Sequence, residues 1–121
     1  MYQVTADKSK NLLRIIFSGR VEPDDLKIGV EKVKALLKDL KPGFKLLTDL
    51  TALESMSVEC VPHLEDSMEA CNKSGVAMVV RVIPNPKKDI GLNILSIFHY
   101  RRRIRIVTCE TLAEAMKILD E

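Results

Sequence analysis

The chain has 121 residues, of which 46% are hydrophobic and 30% charged, with a formal net charge of +2. This length is typical of one domain with a single core, and the composition excludes a largely disordered protein, so we predict one domain over residues 1–121. The apolar runs are far shorter than the ~20 residues of a membrane-spanning helix, which predicts no transmembrane segment.

Positive charge and cysteine usage add two further constraints. Residues 81–109 contain seven Lys or Arg against one Asp, so the positive charge is local. The three cysteines are Cys60, Cys71 and Cys109; they lack CxxC spacing and follow no apolar secretion signal. This pattern predicts a cytoplasmic protein with small, buried thiols.

The first third of the chain predicts a hairpin and a helix. Short β-branched or apolar runs at 2–5 and 12–17 are separated by polar residues, which favours antiparallel pairing. Pro23 and two early carboxylates suit a helix N-terminus. A single helical stripe follows, made of Leu26, Val30, Val33, Leu37 and Leu40. Pro42 and Gly43 predict where that helix stops.

The middle of the chain predicts a strand and a second helix. The run 44–50 includes a continuous apolar pair, which is typical of a strand covered on both faces. Ser57 is a candidate cap for the next helix. Pro62 would then fall in the second turn, so an irregular lead-in with Pro62 at the first regular position is an equal alternative. Gly75 predicts the end of this helix.

The last third predicts two strands and two helices. The run 76–83 is apolar on both faces except at Arg81, which places it inside a sheet. A helix over 89–100, a strand over 104–109 and a capped helix from Thr111 complete the order ββαβαβαβα. Alternating elements require crossover connections, so we predict an α/β fold: a five-stranded mixed sheet, mostly parallel among its later strands, with helices packed on it.

Three stretches resemble a known superfamily. They are Leu-Leu-Thr-Asp-Leu-Thr-Ala-Leu at 46–53, Asp-Ile-Gly-Leu-Asn-Ile-Leu-Ser-Ile-Phe-His-Tyr at 89–100 and Thr-Leu-Ala-Glu-Ala at 111–115. Together with the element order, they resemble the STAS superfamily, the fold of anti-sigma-factor antagonists, and more narrowly the SpoIIAA-like (STAS/SEC14-type) bacterial proteins. The resemblance covers nearly the whole chain and implies a non-enzymatic regulatory or protein-interaction module.

Ser55 and Ser57 are candidates for a phosphoryl acceptor or an anion-binding helix start. In regulatory members of that superfamily an acceptor serine, usually in an Asp-Ser pair, lies at the helix N-terminus after the third strand. Aligning the strand end at 49–51 puts Ser57 at the acidic position and Val58 at the acceptor position. A one-residue change in loop length would make Ser57 the acceptor. An ordinary N-cap serine is the alternative that cap frequencies favour.

Arg81, Lys87 and Lys88 are candidates for binding an anion at the end of the fourth predicted strand. The Pro-Asn-Pro run at 84–86 stiffens the loop there, and strand ends are where open α/β sheets bind ligands. Because charged loop residues are usually exposed without a ligand, a solvated basic loop is the favoured alternative.

Leu92, Leu95 and His99 form a second stripe on the predicted helix 89–100. The first stripe, which should face the sheet, is Ile90, Ile94, Ile97 and Phe98. Two apolar stripes require two partners, so the second predicts a surface for a protein partner, self-association or an apolar ligand. Partial cover by a neighbouring element is an equal alternative.

No catalytic or cofactor motif is visible in the sequence. There is no Ser-His-Asp arrangement and no phosphate-binding glycine loop, so we predict no enzyme activity and no cofactor. His63 and His99 are too isolated to predict a metal site. The arginines at 101–105 lack interleaved aromatic residues, which argues against nucleic acid. Two functions remain: a STAS-like interaction module, or a binder of a small anionic or amphipathic, lipid-like ligand.

Overall fold

The computed structural model describes residues 1–83 and 104–120. Five strands and three α-helices occupy this part of the chain. In order they are β1 (Tyr2–Asp7), β2 (Leu12–Val21), α1 (Pro23–Leu37), β3 (Lys45–Met56), a 3₁₀ helix (Val58–Cys60), α2 (Val61–Lys73), β4 (Met78–Val82), β5 (Arg105–Cys109) and α3 (Leu112–Leu119). The predicted helix over 89–100 lies outside the described residues.

The strands form one mixed sheet in the order β1-β2-β3-β4-β5. The hairpin strands β1 and β2 pair antiparallel, whereas β2, β3, β4 and β5 are all parallel to one another. The predicted α/β class and mixed sheet are therefore confirmed. β4 is an interior strand between β3 and β5, as its apolar sequence predicts, and β3 is the central strand.

Local chemistry explains where the helices begin. α1 begins with a capping box. The Asp25 side chain accepts from the backbone N–H of Glu22, and the Glu22 side chain accepts from the backbone N–H of Asp25. Pro23 does not weaken the helix at this position. Proline lacks a backbone N–H, but an N–H in the first turn would have no acceptor within the helix. The 3₁₀ helix precedes α2 and puts Pro62 in the first turn of α2, so the irregular lead-in is the arrangement observed.

Two apolar cores lie on opposite faces of the sheet. The larger core lies beneath α1 and α2 and includes Leu13, Phe44 and Leu50. The smaller core lies beneath α3 and includes Leu47 and Ala115. Helices on both faces explain why adjacent residues of β3 and β4 are buried together, because each strand contributes to both cores.

The central strand is longer than its sequence predicts. It continues beyond the expected end at Leu50 as far as Met56, and this extension pairs with the end of β2. The register shifts twice along β2, so β3 contributes extra residues to the pairing. Leu53 and Met56 therefore both face inward although three positions separate them, which is why simple alternation does not reveal the strand.

No helix within the described residues combines the length and apolarity needed to cross a bilayer.

Candidate functional site

The turn between β3 and α2 lies where β2 and β3 both end. Ser57 caps the 3₁₀ helix: its Oγ accepts from the backbone N–H of Glu59 at 3.2 Å. Its own backbone N–H lies 3.5 Å from the carbonyl oxygen of Val21, at the end of β2. Ser57 is thus fixed at the start of a helical segment, as the sequence predicts for a cap.

Ser55 occupies a different environment from Ser57. It lies inside β3, paired with Arg20, and its side chain is exposed. It therefore precedes the helical segment instead of lying at its start. Of the two candidate serines, only Ser57 has the position of a residue at a helix N-terminus, and whether either is phosphorylated stays a prediction.

Two exposed apolar side chains lie on the elements at this turn. Val58, the first residue of the 3₁₀ helix, is 73% exposed, and Ile28 of α1 is 74% exposed. The 3₁₀ helix contacts α1, so the two residues lie on adjacent elements. We call Ile28 and Val58 the apolar pair. The sequence does not reveal it, because exposure cannot be distinguished from burial for a single valine or isoleucine.

Carboxylates surround the buried thiol beneath this turn. Burial raises the pKa of Cys60, and the charges of Glu22, Asp25 and Glu59 raise it further. The Cys60 thiol lies 3.7 Å from the carbonyl oxygen of Val21. These three carboxylates contribute negative charge near the thiol, and Arg20 pairs with one of them, Glu22.

Asp49 has a structural role. Its Oδ1 accepts from the backbone N–H of Thr51 at 2.9 Å and from the Thr51 hydroxyl. Both donors belong to Thr51, two residues further along the chain. The Asp49 carboxylate therefore holds the backbone in place where β3 continues beyond the end of β4. This orienting role needs no acid–base function.

Arg81 is buried inside the sheet at 3% exposure. Its Nη2 donates to Thr108 Oγ1 at 2.7 Å, and the sheet register places Arg81 between Thr48 and Thr108. The guanidinium therefore contributes to a polar row across three strands. Sequence reasoning identified Arg81 but missed both threonines, because cross-strand neighbours depend on register.

A small cavity lies between the sheet and α2. Its volume is about 30 Å³, which is room for water but not for an acyl chain. Tyr2, Thr48 and Ser67 are among the residues that line it, along with apolar side chains. Burial raises the pKa of the Tyr2 phenol, while a hydrogen bond with Ser67 opposes the rise.

The remaining candidates fall into two groups. Lys87, Lys88, Leu92, Leu95 and His99 lie outside the described residues, so the basic loop and the second helical stripe stay predictions. Within 1–83 and 104–120, no three metal-ligating side chains converge. The three cysteines are buried, as predicted, and none forms a disulfide.

Comparisons with known proteins define the fold. No family model matches the chain, and no curated protein matches it either. Solved structures do match: the chain has the SpoIIAA-like fold of the STAS type. The resemblance inferred from the sequence is therefore confirmed at the level of the fold.

Three of the similar structures show how completely the fold is shared. An uncharacterized Shewanella loihica protein with a SpoIIAA-like fold has a TM-score of 0.71 at 14% identity, covering 98% of this chain and 92% of its own. The anti-sigma factor antagonist SpoIIAA in its unphosphorylated form has a TM-score of 0.67 at 11% identity, and the match covers 99% of this chain and 98% of SpoIIAA. An anti-sigma factor antagonist from Mycobacterium paratuberculosis has a TM-score of 0.63 at 18% identity, and the match covers 100% of this chain and 94% of that protein.

Proposed function

We propose that this chain is a non-enzymatic regulatory module that binds a protein partner at the turn between β3 and α2. The observation that carries the proposal is the apolar pair: Val58 follows the Ser57 cap directly, and Ile28 is exposed on α1, which contacts the 3₁₀ helix. The SpoIIAA-like fold supports it by analogy, since two of the similar structures are anti-sigma factor antagonists.

The chemistry of the turn indicates what the partner surface should look like. Apolar residues ringed by polar groups are typical of a docking surface. Asp25 and Glu59 contribute negative charge there, while Arg20 balances the charge of Glu22. A complementary partner therefore presents an apolar contact flanked by Lys or Arg, and association should weaken as salt rises.

A quantitative pull-down from the native host tests the docking surface. Val58→Asp and Ile28→Asp place a charge in the centre of the contact, and both side chains are exposed, so the fold should be unaffected. We expect the partner recovered by the unmodified chain to fall at least tenfold with either variant, because a buried unpaired charge opposes association.

Ala113→Asp is the matched control. Ala113 is exposed on α3, on the opposite face of the sheet. This variant should recover the partner at the level of the unmodified chain. Equal recovery by all four proteins would show that the turn is not the docking surface.

Phosphorylation at Ser57 is a second part of the proposal. A phosphate there would meet the N–H groups of the 3₁₀ helix and the negative charge of Glu22 and Glu59, so it would act chiefly by repelling an anionic partner or attracting a cationic one. Mass spectrometry of the chain purified from its host should find any phosphate on Ser57 and not on Ser55. A phosphate found on Ser55 alone would contradict this assignment.

Binding of a small anionic or amphipathic ligand is the alternative function. Its support comes from the sequence, since Lys87 and Lys88 follow the carboxyl end of β4, whereas Arg81 itself is buried and donates to Thr108. Native mass spectrometry of freshly purified protein tests it. A ligand-free mass, with no change in melting temperature on adding inorganic phosphate or acyl compounds, would rule this function out.

A further inference from the structure

We propose that β1 is a self-association edge, which pairs antiparallel with β1 of a second copy about a two-fold axis at Val4. The two five-stranded sheets would then join into one continuous sheet. This surface lies at the opposite edge of the sheet from β5.

The hydrogen-bond pattern of the hairpin shows which backbone groups face outward. Met1 and Ser18 exchange hydrogen bonds at 2.6 and 2.9 Å, and the register continues with Gln3 opposite Ile16 and Thr5 opposite Arg14. Bonded and non-bonded pairs alternate in an antiparallel ladder. The odd-numbered residues of β1 therefore bond to β2, and the even-numbered ones point away from it.

The outward-facing groups belong to Tyr2, Val4 and Ala6. Within the described part of the chain β1 pairs with β2 alone, and no backbone or side-chain group bonds to these three amides and carbonyls. An edge of unpaired donors and acceptors is a template for another strand.

Between Tyr2 and Ala6 the edge lacks several of the features that usually prevent such pairing, although β1 is short and ends at Asp7. From Tyr2 to Ala6 there is no proline, no lysine and no charged side chain, and the register of β1 with β2 has no bulge. The opposite edge strand, β5, begins at the exposed Arg105, a charged side chain of the kind that discourages pairing at an edge. Of the two edges, β1 is the one that accepts its own copy.

Two-fold pairing at Val4 uses every outward group. Val4 would exchange two hydrogen bonds with Val4 of the second copy, and Tyr2 would exchange two with Ala6 of the second copy. The backbone groups of all three residues point away from β2 and are therefore available for these bonds. Gln3 and Thr5 are exposed and would become cross-strand neighbours, an amide opposite a hydroxyl with no like charges facing.

The same pairing would cover apolar surface at the margin of the larger core. Tyr2 and Ala6 are half-buried and pack against that core. A second strand would cover their remaining exposed surface. The contact is one strand wide, well below a standard interface, so the association is weak and depends on concentration.

Amide hydrogen exchange of the unmodified full chain, followed by NMR from low micromolar to near-millimolar concentration, tests the proposal. The amides of Val4 and Ala6 should exchange about tenfold more slowly at the highest concentration. Those of Gln3 and Thr5 are the internal control: they bond to β2 in each copy and should exchange at one rate throughout.

Charge variants test whether the strand that pairs with β1 is β1 of a second copy. Gln3→Lys/Thr5→Lys places like charges opposite each other between copies, and so does Gln3→Glu/Thr5→Glu. Light scattering should find each double variant monomeric at the concentration where the unmodified chain associates, whereas a mixture of the two should form a heterodimer.

Several results would overturn the proposal. Exchange of the Val4 and Ala6 amides that does not change with concentration would exclude the second copy. Protection that appears only on adding host extract would assign the edge to a strand of another protein. Association of each charge variant to the same extent as the unmodified chain would place the contact elsewhere.

Discussion

Gly29 allows α1 to approach β1 closely. A Cβ at this position would overlap the ring of Tyr2, which also packs edge-to-face on Phe17 with ring centroids 5.0 Å apart. Gly29→Ala should therefore destabilise the protein by about 1–3 kcal/mol, because the Tyr2 ring has to move. Urea denaturation measures this change directly.

The same substitution should have the opposite sign once the ring is absent. In a Tyr2→Ala background, Gly29→Ala removes no contact and gains up to about 1 kcal/mol of helix propensity. If Gly29→Ala destabilises both backgrounds equally, the overlap with Tyr2 is not the reason for glycine at this position.

Cys71 makes stability depend on alkaline pH. Burial raises the pKa of this thiol from its ordinary 9.0 to about 12. Above pH 9 the unfolded chain ionises first and the folded chain holds its proton, so the stabilisation is complete below pH 9 and is lost as pH rises toward 12. The slope is about 1.4 kcal/mol per pH unit for one group.

Cys71→Ala isolates this effect from other alkaline titrations. We expect the stability difference between the unmodified chain and the variant, measured by urea denaturation, to shrink steadily from pH 9 upward. The Tyr2 phenol, whose pKa is also raised by burial, titrates in both proteins and cancels to first order. A difference that is constant with pH would contradict the assignment.

At the scale of elements, sequence periodicity identified nearly every described strand and helix. Apolar runs in β3 and β4 predicted interior strands, and the irregular lead-in to α2 was one of the two arrangements that Pro62 left open. The length of β3 was not predictable, since bulges opposite β2 break the alternation on which a strand assignment rests.

The candidate site was only partly readable for the same reason. Ser57 was identifiable because a serine before a helix is a local cap signal. The exposure of Val58 and Ile28 depends on how α1 and the 3₁₀ helix meet, and the neighbours of Arg81 depend on strand register. Side-chain exposure and cross-strand neighbours both depend on the tertiary structure, so a local sequence pattern does not predict them.

α3 should tolerate charge at one alanine and not at another. Ala115 is completely buried in the smaller core, whereas Ala113 of the same helix is exposed. Ala115→Glu should cost about 3 kcal/mol or more, because it buries an unpaired carboxylate. Ala113→Glu is the control and should change stability by less than about 0.5 kcal/mol in thermal unfolding.

Comparable losses for the two glutamate variants would mean that α3 does not cover this face of the sheet. A loss restricted to Ala115→Glu would agree with a helix docked by one buried stripe and capped by Thr111, whose hydroxyl accepts from the Glu114 backbone N–H at 3.2 Å.

At the scale of the whole molecule, the two cores share one sheet. Leu46 belongs to the larger core and Leu47, its neighbour in β3, to the smaller one. Loss of either core exposes the same strand, so we expect one cooperative unfolding transition, with equal calorimetric and van't Hoff enthalpies. Two separate transitions would show that the cores are independent.

The paired extension of β2 and β3 has a consequence for how such a module can change. Beyond Asp49, β3 is no longer paired with β4, and this two-stranded arm ends at Ser57. Adding or removing matched residues in both strands would lengthen or shorten the arm while leaving β4, β5 and α3 in place. Such a change would be sensed by α1 and α2, because Leu53 and Met56 of the arm belong to the larger core beneath those helices.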